Sequence, residues 1–160
     1  AGDESLMSQK GHGTSATGVQ GTLRWGCDVA VADKICNHNR RFAERSGYFL
    51  STGLLRDLHA AEREGARPLD FFDSNSGELL FRAPVRRSFE KFVVESKKHG
   101  WPSFRDAEVN WERVRILPDG ECVSIDGTHL GHNIPDSSGN RYCINLVSVA
   151  GDTAQPKPAL

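Results

Sequence analysis

The sequence predicts a mainly β domain, a small antiparallel barrel or sandwich preceded by one or two helices. Three observations carry that expectation. The second half holds four apolar segments, 109–117, 121–125, 128–134 and 141–149, separated by Pro118-Asp119-Gly120, Asp126-Gly127 and the 135–140 stretch. Turns rich in Gly, Pro, Asp and Asn at that spacing join antiparallel neighbours, so the four read as a meander. Segments 69–73 and 78–83 flank Ser74-Asn75-Ser76-Gly77 and read as a separate hairpin. Upstream, Leu54, Leu55, Leu58 and Ala61 recur at helical spacing, with Ser51 or Thr52 as N-cap and Gly65 past the end. A weaker pattern over 33–45 suggests a shorter helix, and the basic stretch Arg86, Arg87, Lys91, Lys97 and Lys98 reads as an amphipathic helix with a solvated face, Ser88 its N-cap.

Composition narrows the function classes. The 160 residues hold 20 Lys plus Arg against 21 Asp plus Glu, a net charge of -1, which argues against a general nucleic-acid or anionic-membrane binder. No apolar run approaches the roughly 18–20 residues of a bilayer span. The hydrophobic share of 38%, counted without 16 glycines, suffices for one core. Four cysteines are too few for a disulfide scaffold, and none forms a CxxC pair, which excludes zinc on paired CxxC knuckles. Any targeting segment is expected to be absent or already removed. Residues 1–22, with Leu6, Met7 and Val19 as their only large apolar residues, read as a flexible tail, as do 151–160. One domain over 23–150 lies between them, a helical part at 23–67 and a β core at 68–150.

The strand faces bring in chemistry. Alternation along 141–149 puts Tyr142, Ile144, Leu146 and Ser148 on a core face and Arg141, Cys143, Asn145 and Val147 on the other. An arginine beside a thiol favours the thiolate. A plain packing role for Cys143 is the rival reading. His129 and His132 occupy the preceding strand, where antiparallel pairing brings them close to Cys143, and Gly131 permits a bulge that turns both imidazoles the same way. Such a set suits nucleophilic thiol catalysis with a general acid. Cys122, His129, His132 and Cys143 are alternatively a sulfur and nitrogen donor set for a metal. The polar run Asn37-His38-Asn39-Arg40-Arg41 reads as a solvated loop or helix end, with a site-lining role as the alternative, Trp25 and Trp111 as core or rim aromatics, and His12 and His59 receive no role.

At these residues the sequence resembles the B-type methionine sulfoxide reductases (methionine-R-sulfoxide reductases, SelR domains). The resemblance rests on Gly100-Trp101-Pro102-Ser103-Phe104, Thr128-His129-Leu130-Gly131-His132 and Arg141-Tyr142-Cys143-Ile144-Asn145, with Ser76-Gly77-Glu78-Leu79-Leu80-Phe81 ahead of them. It implies a SelR/Mss4-like β fold and reduction of methionine-R-sulfoxide in peptides or proteins through a sulfenic acid. It further implies that Cys143 is the nucleophile, that His129 and His132 bind and protonate the sulfoxide oxygen, and that Asp136 orients the histidines. Arg141 and Asn145 tune the thiol, while Trp101, with Phe104, forms the apolar wall for the substrate methyl.

Three departures qualify the resemblance. The zinc positions of the family fall here on Asp73, Ser76, Val123 and Asp126, so the chain resembles the zinc-free branch, with no bound cofactor and no stoichiometric zinc expected. The position of a frequent resolving cysteine is His99, which leaves Cys36, then Cys27, as candidates, or direct reduction by thioredoxin or another thiol. The turn before Arg141 is short, and Ile134 replaces an aromatic. A monomer in a reducing compartment is expected, with oxidised methionine and a thioredoxin-like reductant as partners and neither nucleic acid nor membrane. The rivals are a non-catalytic binding module on the same fold and the Cys/His metal-binding domain.

Overall fold

The computed structural model describes residues 1–153. Two antiparallel sheets and three α-helices make up the regular structure, and the sheets do not close into a barrel among the described residues. The first sheet is the expected hairpin, β1 (Leu69–Phe72) and β2 (Leu79–Ala83). The second contains the expected meander, β4 (Val114–Ile116), β5 (Glu121–Ser124), β6 (His129–Asn133) and β7 (Tyr142–Ile144). A two-residue strand, β3 (Ser103–Phe104), extends its edge and gives the order β3-β7-β6-β5-β4.

The helices are α1 (Val29–Asp33), α2 (Leu54–Arg63) and α3 (Phe89–His99). α3 starts where expected, because the Ser88 side chain accepts from the Lys91 N–H, and it stops at Gly100, whose φ of 93° only glycine adopts without strain. Between the sheets and helices the core stacks aromatics: Phe81 lies over Phe104 at 4.3 Å between centroids, with Phe71 edge-on to Phe104 at 5.0 Å.

Three expectations need correction. The strand expected over 109–117 is confined to Val114–Ile116, with Val109 making only an isolated bridge to Phe81. The strand expected through Val149 ends at Ile144, and Leu146–Ser148 form a 3-10 turn. Leu146, Val147 and Val149 are all buried, so the turn covers every side of a segment that an alternating strand would leave half exposed. Residues 1–22 are a strap rather than a free tail. The Gly2 N–H donates to the Ile116 carbonyl at 2.8 Å, Thr14 Oγ1 donates to the Gly127 carbonyl at 2.7 Å, and Met7 packs with Leu117 and Val123. The few apolar residues of the segment suffice because the core leaves a matching apolar patch. Of the expected C-terminal tail, 154–160 lie outside the described residues. Among those described, no helix is long and apolar enough to cross a membrane.

Candidate active site

Strand register builds the site. Cys143 lies opposite His132 on β6 and opposite Ser103 on β3, which makes β7 the central strand of the three. Gly131 lets β6 approach, since a Cβ there would lie 2.0 Å from the Cys143 carbonyl oxygen. In β6, Gly131 pairs with Cys122 but His129 pairs with Val123, so Leu130 is an extra residue. That bulge resets the alternation. His129 and His132, three apart and therefore on opposite faces of a regular strand, both line one cavity.

The cavity measures about 630 Å³ and is lined by Cys143, His129, His132, Trp101 and Asn145 together with Arg40, Arg41 and Phe42. Four of the sequence-predicted residues thus meet a fifth, Trp101, around one space large enough for a peptide side chain and its flanking backbone.

His129 is buried and its Nδ1 bonds Glu121 Oε2 at 2.7 Å. Arg40 holds the same carboxylate, with Nε 3.0 Å from Oε2. Burial pushes the Glu121 carboxyl up, but the bonds from His129 and Arg40 outweigh it and keep the group below its ordinary value. A charged carboxylate accepts from Nδ1–H, which leaves Nε2 as the acceptor of the His129 ring. His132 is more exposed and its Nε2 lies 2.9 Å from the Asp119 carbonyl oxygen.

Around Cys143 burial raises the thiol, the nearby Arg141 guanidinium lowers it by charge and hydrogen bonding, and Glu44 raises it; the net effect is upward. Arg141 is itself buried, and its Nε and Nη1 have no hydrogen-bond partner among the described residues. A buried cation with unsatisfied donors beside a thiol is arranged for negative charge that develops there. Glu44 is 3% exposed, and burial pushes its carboxyl up to about 7 against the N–H groups of Val147 and Leu146. Its backbone anchors the floor: the Glu44 N–H donates to Asn145 Oδ1 at 3.0 Å, and Trp101 Nε1 donates to the Glu44 carbonyl at 3.1 Å. Asn145 also donates to the Leu130 carbonyl at 3.1 Å, which secures the bulge.

Other candidate residues fall elsewhere. Asp136 does not meet the histidines. Arg105 bonds it at 3.0 and 2.9 Å, and that pair, with the Ser138 N–H, holds its carboxyl down to about 2. The carboxylate that meets a histidine is that of Glu121. Phe104 is fully buried in the aromatic core and lines no part of the cavity. Cys36 and Cys27 are buried free thiols outside the cavity lining, and burial pushes Cys27 up to about 12 and Cys36 further. Cys122 is fully buried and absent from the lining, so the four donors of the metal alternative are not gathered.

The family's zinc positions do not fit that ion. Asp73 is buried and accepts from Thr128 Oγ1 and the Asn75 N–H, both at 2.8 Å. Asp126 pairs with Arg113 at 2.6 Å, and Val123 is core. Sequence reasoning missed Glu121 and Glu44, and it reached Arg40 only through the site-lining alternative for the 37–41 run. For Glu121 a signal existed, since register counted back from the Asp126-Gly127 turn places it opposite His132.

No family model matches the chain. It is 30% identical over 106 residues to the peptide methionine sulfoxide reductase MsrB of Methanosarcina mazei, a match covering 57% of this chain and 75% of that protein. The MsrB of Methanosarcina barkeri is likewise 30% identical over 106 residues, covering 57% of this chain and 74% of its own.

Proposed function

The chain belongs to the peptide methionine sulfoxide reductase B family, and from that premise we propose that it reduces the R epimer of methionine sulfoxide in peptides and proteins, as a member of the zinc-free branch, with Cys143 as nucleophile. The observation that carries the reading is a partly exposed thiol in a cavity lined by two imidazoles, beside a buried guanidinium with two nitrogens that make no hydrogen bond among the described residues.

In this reading the sulfoxide sulfur approaches Cys143 with its methyl group against Trp101. Cys143 gives its proton to the imidazoles of His129 and His132 and its thiolate attacks the sulfoxide sulfur; the imidazolium so formed protonates the sulfoxide oxygen, which passes to the cysteine sulfur as the substrate S–O bond breaks. Methionine leaves and Cys143 carries the hydroxyl as a sulfenic acid; the cysteine sulfur is oxidised by the two electrons that the substrate sulfur gains. A dithiol such as thioredoxin then returns Cys143 to the thiol, becoming a disulfide and releasing water. Burial of Cys36 and Cys27 supports direct attack of the external thiol on the sulfenic acid. The raised thiol is consistent with deprotonation on substrate engagement, Arg141 then facing the charge its own donors lack. Glu121 and Arg40 act as positioning residues through His129. No bound cofactor enters the scheme.

The test is turnover of separated R and S epimers of a methionine sulfoxide peptide with excess dithiothreitol. Consumption of the R epimer alone, abolished in Cys143→Ser, is expected. No turnover of either epimer by folded protein overturns the reading and leaves the fold as a binding module.

A further inference from the structure

We propose that His12, Asp33 and His38 form a peripheral binding site for a divalent first-row transition ion such as Zn²⁺, outside the catalytic cavity. His12 Nε2 lies 2.7 Å from Asp33 Oδ1, His38 Nε2 lies 3.4 Å from Asp33 Oδ2, and the two Nε2 atoms are 3.2 Å apart. Ligand atoms bonded to one zinc ion at about 2.0–2.1 Å sit about 3.3 Å apart in a tetrahedron. The three separations are therefore already close to the edges of a coordination shell.

Hydrogen bonding alone satisfies this arrangement poorly. Each ring nitrogen has a single in-plane proton or lone pair, yet each faces both a carboxylate oxygen and the other imidazole nitrogen. If both imidazoles donate to Asp33, neither nitrogen keeps a lone pair for the other at 3.2 Å; a cation at the centre satisfies all three ligands at once. Solvent supplies the fourth position, because all three side chains are partly exposed.

Local structure brings the ligands together. Asp33 ends α1, and Lys34–His38 form a π turn closed by the Asn39 N–H on the Lys34 carbonyl at 2.8 Å. Five residues of α-helix would rotate His38 about 140° away from Asp33, and the wider π turn returns it to the same face. His12 comes from the strap and lies on Gly18, where a Cβ would sit 2.8 Å from the His12 ring; Gly13 likewise leaves no room for a Cβ beneath Asn37. Asn37 Nδ2 donates to Asp33 Oδ1 at 2.9 Å and fixes the carboxylate from behind, as outer-shell groups of metal sites do. An ion held here would clamp the strap to the segment that continues into Arg40, the partner of Glu121.

The test is a titration of the full chain with Co²⁺, followed by visible absorption and calorimetry, beside His38→Gln, His12→Gln and Cys143→Ser. One equivalent should bind with d–d bands and no thiolate charge-transfer band. Affinity should fall roughly 100-fold in either histidine variant and stay unchanged in Cys143→Ser. Zn²⁺ should raise the Tm of wild type and leave His38→Gln unmoved, a comparison that also reports whether the variant folds. No binding by wild type, binding that survives His38→Gln, or binding lost in Cys143→Ser would each overturn the proposal.

Discussion

Cys143 and Cys36 are both free thiols of one small molecule, and burial pushes both up. Cys143 sits on the middle strand of a sheet, partly exposed to the cavity, with the Arg141 guanidinium opposing the cost of its ionisation. Cys36 sits in a π turn with no exposed surface. Only the Ser148 hydroxyl, 3.5 Å away, opposes burial there, and Asp73, Asp33 and Glu44 add to it. The two thiols therefore differ in a neighbouring cation and an open face, the features that set thiol reactivity in general.

The sharpest way to break this comparison is Cys143→Ser, expected to lower reductase turnover by about 10³-fold or more, as loss of a nucleophile does. With iodoacetamide, native protein should be alkylated at Cys143 alone, faster as pH rises toward and beyond the ordinary thiol value. Arg141→Gln should move that rate curve to higher pH, because it removes the charge that favours the thiolate. Alkylation of Cys36 at a similar rate in the folded protein would erase the distinction.

Next in size is Glu121→Gln, which removes the charge that fixes His129; a fall of roughly 10²-fold in kcat/KM is expected. Asp136→Asn is its control and should stay within about threefold of wild type, since Arg105 rather than a histidine holds that carboxylate. Equal losses in the two variants would show that Asp136 acts on the site, through the histidines or through Arg141, whose Nε lies 3.9 Å from it.

Glu44 influences both thiols and offers a stability test. Its carboxyl keeps its proton to about pH 7 in the folded protein, against an ordinary value of 4.5. Between those values the native state holds a proton that the unfolded chain has released, so the contribution of this group is fully present below pH 4.5 and is lost as pH rises through 7. The full loss from this group is roughly 3 kcal/mol. Glu44→Gln should flatten that part of the dependence, read as the difference between urea midpoints at pH 5 and pH 8. Smallest of all, Cys36→Ala should leave both dithiothreitol- and thioredoxin-driven turnover unchanged. Loss of the thioredoxin-driven rate alone would identify Cys36 as a resolving cysteine.

Much of this was determined by the sequence alone. The turns at Pro118-Asp119-Gly120 and Asp126-Gly127, the Ser88 cap and the Gly100 stop act over a few residues, and the elements they bound stand where local chemistry puts them. The meeting of Cys143 with two histidines was legible too, since neighbouring strands pair through short turns. Tertiary structure decided the rest. Leu130 is a bulge in the pairing of β6 with β5, and Gly131 next to it passes close to the Cys143 carbonyl of β7, both contacts across strands. Asp136 went to Arg105 and His129 to Glu121 because charge pairing in the fold depends on distances that no local pattern encodes. The first 22 residues, polar enough to read as a tail, became a strap because Met7 found an apolar patch made by Leu117 and Val123 more than a hundred positions away. Only that strap could bring His12 to Asp33 and His38.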